Sequence, residues 1–93
     1  MTVYISPNPG KPMAYGISQR AAQILMAHGA KVLMQMNLRE ECNTMGVQFL
    51  PQKECIEKTD VILTIGGDGT ILHDANLSLE YRKPILGINL GRC

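Results

Sequence analysis

The 93-residue sequence predicts an α/β fold in which helices cover both faces of a doubly wound parallel sheet. Short β-branched, apolar segments alternate with longer segments whose apolar residues recur at helical spacing. One short segment, residues 61–65 (VILTI), is almost wholly apolar, and such a strand is typical of a parallel sheet that is buried on both faces. We therefore expect residues 61–65 to form a central strand.

The first three predicted elements are a strand, a helix and a strand. Residues 2–5 have strand composition and end in a turn-rich cluster of proline and glycine. The next segment predicts a helix, because apolar residues recur on one face: Ala14, Ile17, Ala21 and Leu25. Gly29 follows where a left-handed C-terminal cap would be needed. Residues 31–36 then predict the second strand.

A shorter second helix is predicted after that strand. Asn37 and Glu40 form a capping-box pattern, and Gly46 ends the segment. Its apolar residues recur at i, i+4 and i+7: Leu38, Cys42 and Met45. A brief apolar segment at 47–50 and a short helix beginning at Pro51 lead to the expected central strand.

The second half of the chain predicts a helix over 70–81 and a last strand over 85–89. This helix is predicted because apolar residues recur at i, i+4 and i+8, with one more leucine beside them: Ile71, Ala75, Leu79 and Leu72. Ligands of doubly wound sheets bind outside the carboxyl ends of the strands. The stretch GGDGT, residues 66–70, lies at such an end.

Composition limits the function classes. The chain is 45% hydrophobic and 18% charged with a net charge of +1, which fits one globular domain. Its basic residues are dispersed, so neither nucleic acid nor a membrane surface is expected as a partner. The N-terminus lacks the features of a signal peptide, so we expect the cytoplasm. Three cysteines without C-x-x-C spacing argue against a disulfide framework and a zinc site: Cys42, Cys55 and Cys93.

Two familiar phosphate-binding motifs are absent from the sequence. Gly10 and Lys11 are adjacent as in a P-loop, but Ile5 replaces the first glycine and Pro12 the hydroxyl residue. A G-x-G-x-x-G fingerprint after the first strand is also missing. Nicotinamide-dependent hydride transfer of the usual kind is therefore not expected.

The GGDGT stretch has the chemistry of a phosphate site. Glycines allow positive φ and close approach of a ligand, and the free N–H groups of the following helix favour anions. Asp68 would repel a phosphate unless Mg²⁺ intervenes or the carboxylate faces another group, such as a hydroxyl that attacks phosphorus. The simpler alternative is that Asp68 caps the helix. An exact GGDGT arises by chance in roughly one chain in ten thousand of this length, which favours the chemical role.

GGDGT after a buried strand resembles the signature of NAD kinases, of diacylglycerol- and sphingosine-type lipid kinases and, with variation, of 6-phosphofructokinases. The continuation KPILGINLGR, residues 83–92, closely resembles the ATP-NAD kinases, whereas lipid kinases are expected to carry a Pro-Leu-Gly-Thr-Gly-Asn-Asp type of loop there. The Pro-Asn-Pro at 7–9 resembles the same family more weakly. The resemblance covers essentially the whole chain, is strongest over 60–92, and implies a Rossmann-like N-terminal kinase domain.

The resemblance implies roles for individual residues. Asp68 would be the proton acceptor that faces the 2′-hydroxyl of the adenosine ribose of NAD, and Gly69 would help to hold that nucleotide. The rest of the motif would lie by the donor phosphates: Gly66, Gly67 and Thr70. His73 matches a ligand-binding position, and an ordinary exposed helix histidine is an equal alternative. Three other residues are expected to serve turn or loop structure, although the first could also reach the phosphates: Asn8, Asn89 and Arg92.

The resulting hypothesis is a Mg²⁺-dependent transfer of phosphate from ATP or polyphosphate to NAD, which gives NADP. NAD and ATP are then the expected partners, and a homo-oligomer is expected for the full-length enzyme. The family continues into a β-rich domain, whereas this sequence stops at Cys93. We therefore expect residues 1–93 to be the N-terminal domain only and to have no useful activity alone. A GGDGT-type lipid kinase and a non-catalytic nucleotide-binding module are the alternatives.

Overall fold

The computed structural model describes residues 1–91, and Arg92 and Cys93 lie outside the described residues. The strands are β1 (Thr2–Pro7), β2 (Lys31–Gln35), β3 (Gln48–Leu50), β4 (Val61–Gly66) and β5 (Ile85–Asn89). The α-helices are α1 (Pro12–Ala27), α2 (Gln52–Lys58) and α3 (Asp68–Tyr81). All neighbouring strands pair in parallel in the order β3-β2-β1-β4-β5. The predicted α/β class with a parallel sheet is confirmed.

The register of the sheet brings the functional segments to one edge. Ser6 of β1 pairs with Thr64 of β4, and Gly66 of β4 pairs with Asn89 of β5. The carboxyl ends of β1, β4 and β5 therefore lie side by side. β1 occupies the centre of the sheet and β4 lies next to it, so residues 61–65 are an interior strand, as predicted.

Helices cover the two faces of the sheet with separate apolar clusters. The face under α1 contains Val3, Ile5, Ala14, Ala22, Val32, Met34, Leu38, Cys42 and Ile65. The face under α2 and α3 contains Tyr4, Leu33, Cys55, Ile56 and Ile62. Gly29 ends α1 with φ of +91°, which confirms the predicted left-handed cap. In the described part of the chain, no helix has the length and hydropathy needed to cross a membrane.

The predicted helix between β2 and β3 is wrong. A 3₁₀ turn, Met36–Leu38, and a single hydrogen bond from Cys42 N–H to the Leu38 carbonyl (2.8 Å) replace it. Thr44 then donates its hydroxyl hydrogen to the Cys42 carbonyl, and this bond turns the chain. Because Leu38 and Cys42 are buried while Met45 is 96% exposed, only the first two predicted apolar anchors contribute to the core.

Helix α3 is confirmed, and a carboxylate lies on its buried side. The helix begins at Asp68, two residues before the expected start. Leu72 and Leu79 are 66% and 79% exposed, whereas Asp74 is only 2% exposed. The angle at which α3 crosses β4 and β5 therefore places a carboxylate, rather than two leucines, against the sheet.

Candidate functional site

The first turn of α3 forms the centre of the site. Gly66 ends β4, Gly67 is the N-cap, and Asp68 is the first helical residue. The Ile71 N–H donates to the Gly67 carbonyl at 3.1 Å, so the N–H groups before it have no partner within the helix. These N–H groups, together with the positive end of the helix dipole, form the type of site that binds phosphate.

The glycines of the motif provide space rather than an unusual backbone. None of Gly66, Gly67 and Gly69 has positive φ, so of the two properties that glycine offers the motif uses the absence of a side chain. A Cβ on Gly66 would lie 2.8 Å from the Asn8 Cβ and 3.0 Å from the Thr70 Cβ. Within residues 1–91, a Cβ on Gly69 would meet nothing within 4 Å, which leaves this part of the backbone open to a ligand.

Asp68 is held from the neighbouring strand. Its Oδ1 accepts a hydrogen bond of 2.9 Å from Asn89 Nδ2, and Asn89 Oδ1 accepts one of 2.8 Å from the Gly91 N–H. The Leu90 N–H donates to the Gly66 carbonyl, which ties the same loop to the end of β4. Because Gly67 is the N-cap and α3 has no side-chain cap hydrogen bond, the capping role considered for Asp68 is wrong.

A cavity of about 220 Å³ lies on the other side of the α3 N-terminus, beside the carboxyl ends of β1 and β2. Gly69, Thr70 and His73 line it. The His73 side chain is 71% exposed, and its Nδ1 lies 3.3 Å from Asp74 Oδ1. His73 is therefore an exposed helix residue at the rim of a cavity. Its exposure fits an ordinary helix histidine, and its place beside the cavity fits a ligand-binding position.

The buried Tyr4 lies two residues before Ser6, which lines the cavity. Burial raises the pKa of Tyr4 above its ordinary value of 10.0, and the polar side chains of Gln52, Gln35 and Ser6 partly offset the rise. None of these groups has hydrogen-bonding geometry toward the Tyr4 hydroxyl. The end of β1 is therefore lined with polar groups where the sheet meets α3.

Comparisons with known proteins identify the family of the chain. The family model described as the ATP-NAD kinase N-terminal domain matches residues 3–93. The chain belongs to this family.

Relatives of the ATP-NAD kinase family span most of the chain. The NAD kinase of Methanopyrus kandleri is 34% identical over 82 residues, which are 85% of this chain and 27% of the relative. The NAD kinase of Methanothermobacter thermautotrophicus is 40% identical over 80 residues, 84% of this chain and 27% of the relative. This chain thus spans less than a third of the length of these relatives.

The crystal structure of yeast NADH kinase complexed with NADH has the same fold over this region. It superposes with a TM-score of 0.73 at 22% identity and covers 99% of this chain and 32% of the yeast chain. The fold expected for an ATP-NAD kinase N-terminal domain is therefore confirmed.

The structure brings together most residues that the ATP-NAD kinase resemblance had indicated. The motif residues and His73 surround the first two turns of α3: Gly66, Gly67, Asp68, Gly69, Thr70 and His73. Asn8 packs against the Gly66 position, which is a structural contact. Asn89 had been assigned to loop structure alone, but it also contacts Asp68 directly. The signal for that contact is its place at the end of the strand that pairs with β4.

Sequence reasoning missed Asp74. The residue lies i+4 from Thr70, on the same side of α3, and it lines the cavity although its side chain is only 3% exposed. Helical spacing from Thr70 could have placed it there.

Proposed function

We propose that this chain is the part of a kinase that contains the catalytic residue Asp68. The kinase transfers phosphate from ATP or polyphosphate to the 2′-hydroxyl of the adenosine ribose of NAD, which gives NADP. The observation that carries the proposal is the carboxylate of Asp68, held by Asn89 beside the N–H groups that open α3. Membership of the ATP-NAD kinase family and relatives named NAD kinase support this substrate.

The chemistry follows from the position of the carboxylate. Asn89 occupies one oxygen of Asp68, which leaves the second oxygen to accept the hydrogen bond of a substrate hydroxyl. Phosphoryl transfer through a loose transition state needs the nucleophile oriented and its proton accepted late, so a weak carboxylate base is sufficient. The N–H groups of Gly69 and Thr70 would stabilise charge on the donor phosphates. In this arrangement Asp68 orients the hydroxyl and receives its proton.

Mg²⁺ is proposed as the cofactor. The first turns of α3 are surrounded by carboxylate, hydroxyl and amide oxygens, the ligand types that Mg²⁺ prefers. When bound, the ion would neutralise charge on the donor phosphates. The family resemblance and the composition further lead us to propose a homo-oligomeric full-length enzyme in the cytoplasm.

Replacement of Asp68 by Asn tests the proposal in the protein as its gene encodes it. Asn keeps an oxygen and the size of the side chain but removes the proton acceptor. We expect kcat for NADP formation to fall by about 10²–10⁴-fold, with a much smaller change in the KM for NAD. Glu80→Gln, which removes an exposed carboxylate from the same helix, should leave both constants unchanged.

Three results would contradict the proposal. Turnover that survives Asp68→Asn would exclude the proton-acceptor role. Phosphorylation of diacylglycerol or sphingosine in place of NAD would favour the lipid kinase. Calorimetric binding of NAD and ATP without turnover would favour the non-catalytic module.

A further inference from the structure

Buried polar atoms accumulate on the α2 and α3 side of the sheet near the carboxyl ends of β1 and β4. Within residues 1–91, the Tyr4 hydroxyl, Thr64 Oγ1 and Asp74 Oδ2 are buried without a hydrogen-bond partner. Thr64 pairs in register with Ser6, so β1 and β4 both direct hydroxyl groups to this region. A buried carboxylate oxygen without a partner is unfavourable, and a bound water or ion is one of the explanations for such an atom in a native protein.

The cavity beside these atoms has room for a hydrated ion. Its volume is about 220 Å³, and one water occupies about 30 Å³ of liquid. Oxygen-bearing side chains from β1, β2, α2 and α3 line it: Ser6, Gln35, Gln52, Thr70 and Asp74. No lysine or arginine is among its lining residues in the described part of the chain. The cavity therefore offers one carboxylate and several neutral oxygens to whatever binds there.

That donor set favours a hard cation over an anion. Asp74 would repel a phosphate that bound in the cavity alone, whereas a divalent cation between the two removes the repulsion. The positive end of the α3 dipole attracts the nearby phosphates, but it repels a cation. A cation placed here needs a carboxylate to hold it, and Asp74 is the carboxylate that the cavity provides.

Asp68 and Asp74 lie on different sides of α3. Residues six apart in a helix do not share a face, whereas Thr70 and Asp74 do. Asp68 contacts Asn89 of β5, and Asp74 lines the cavity with Ser6 of β1. The N–H groups that would bind phosphate lie between the two carboxylates, so each can serve a different group of the reaction.

We propose that Asp74 holds, through its carboxylate, a hydrated divalent cation in this cavity, next to the phosphates of the donor, with the Ser6 and Thr70 hydroxyls as further contacts. The proposal deepens the proposed kinase function and rests on it for the identity of the phosphate ligand. Among the described residues, no three His, Cys, Asp or Glu side chains cluster as a complete metal cage. A site of one carboxylate completed by waters and substrate phosphates matches the usual binding of Mg²⁺ in phosphoryl transfer.

Mn²⁺ is the probe, because it substitutes for Mg²⁺ and is visible by electron paramagnetic resonance. Free Mn²⁺ is titrated into the protein as its gene encodes it, with and without a non-hydrolysable ATP analogue. We expect Asp74→Asn to weaken Mn²⁺ binding by about tenfold or more, because it removes the only carboxylate among the described residues that line the cavity. Glu80→Gln, which removes an exposed carboxylate from the same helix, should bind Mn²⁺ as the parent protein does.

A measurement on the unmodified protein guards against failure of the variant to fold. Bound Mn²⁺ should broaden the backbone amide signals of Thr70 and Asp74 more strongly than that of Asn89. Equal Mn²⁺ affinity for the Asp74→Asn and parent proteins, or broadening centred on Asn89, would overturn the assignment. A further result would separate the two proposals. If Asp74→Asn loses Mn²⁺ binding and the parent protein does not phosphorylate NAD, the cation site is supported and the kinase function is rejected.

Discussion

Two residues determine the position of Asp68. Asn89 of β5 donates a hydrogen bond to one carboxylate oxygen of Asp68, and Gly66 allows α3 to begin directly against the end of β1. A side chain at position 66 would collide with Asn8 and Thr70, so the absence of a side chain there brings β1, β4 and α3 together. The geometry of the carboxylate thus depends on a glycine that never contacts it.

Substitution of two motif glycines separates packing from ligand access. Gly66→Ala should destabilise the fold by about 1–3 kcal/mol, because its Cβ would lie 2.8 Å from the Asn8 Cβ. Gly69→Ala is the matched control, since its Cβ meets nothing within 4 Å and φ is negative. It should keep or slightly raise stability while it weakens ATP binding. Urea unfolding and calorimetry measure the two effects.

Equal loss of stability in both glycine variants would contradict this distinction. So would full ATP affinity in Gly69→Ala, because the open backbone at that position is where we expect the nucleotide to approach.

The end of α2 is attached to the segment that enters β5. Lys83 Nζ donates to the Thr59 carbonyl at 2.8 Å and to the Glu57 carbonyl at 3.2 Å. Both carbonyls lie at the C-terminal end of α2, where acceptors lack helical partners and a cation is favoured by the helix dipole. A single lysine therefore joins the helix that precedes β4 to the strand that carries Asn89.

Lys83→Met removes this connection while it keeps the aliphatic stem. We expect a loss of about 1 kcal/mol in the free energy of unfolding, because two carbonyls lose a charged donor that is only partly buried. Lys53→Met, at an exposed position earlier in α2, should change stability by less than about 0.5 kcal/mol. Chemical denaturation of both variants provides the test, and equal midpoints would show that Lys83 adds nothing specific.

Across the whole molecule, the two apolar faces each contain one buried thiol. Cys42 lies under α1 and Cys55 under α2, and both are free and 0% exposed. Burial raises the pKa of each thiol from its ordinary value of 9.0 to about 11. The expectation that the cysteines form no disulfide framework is consistent with these two, and Cys93 lies outside the described residues.

These thiols make stability fall at alkaline pH. The unfolded chain loses the thiol protons near pH 9 and the folded chain only near pH 11, so the stabilisation is complete below about pH 9. It is lost as pH rises through about 11, because deprotonation then favours the unfolded state. Urea midpoints at pH 7.5 and 10.5 should differ, and the difference should shrink in Cys42→Ala/Cys55→Ala. An unchanged difference in that variant would assign the alkaline loss to other groups.

The local patterns of the sequence predicted most of the elements. The apolar run at 61–65, the helix cap at Gly29 and the start of a helix near Pro51 each depend on neighbouring residues, so they could be recognised without the fold. The helix predicted from Asn37 is wrong because a capping pattern does not indicate how many residues the connection between β2 and β3 requires. Leu38 and Cys42 reach the core through one turn, and the remaining residues continue to β3.

The order of strands and helices, the position of GGDGT after β4 and the membership of the ATP-NAD kinase family follow from the amino-acid order, since each depends on residues close together in the chain. The partner of Asp68 and the burial of Asp74 do not. Asn89 is 21 residues from Asp68 and reaches it only because β4 and β5 pair in register. Asp74 faces the cavity only because of the angle at which α3 lies on the sheet. Helical periodicity cannot specify that angle, because packing against distant strands sets it.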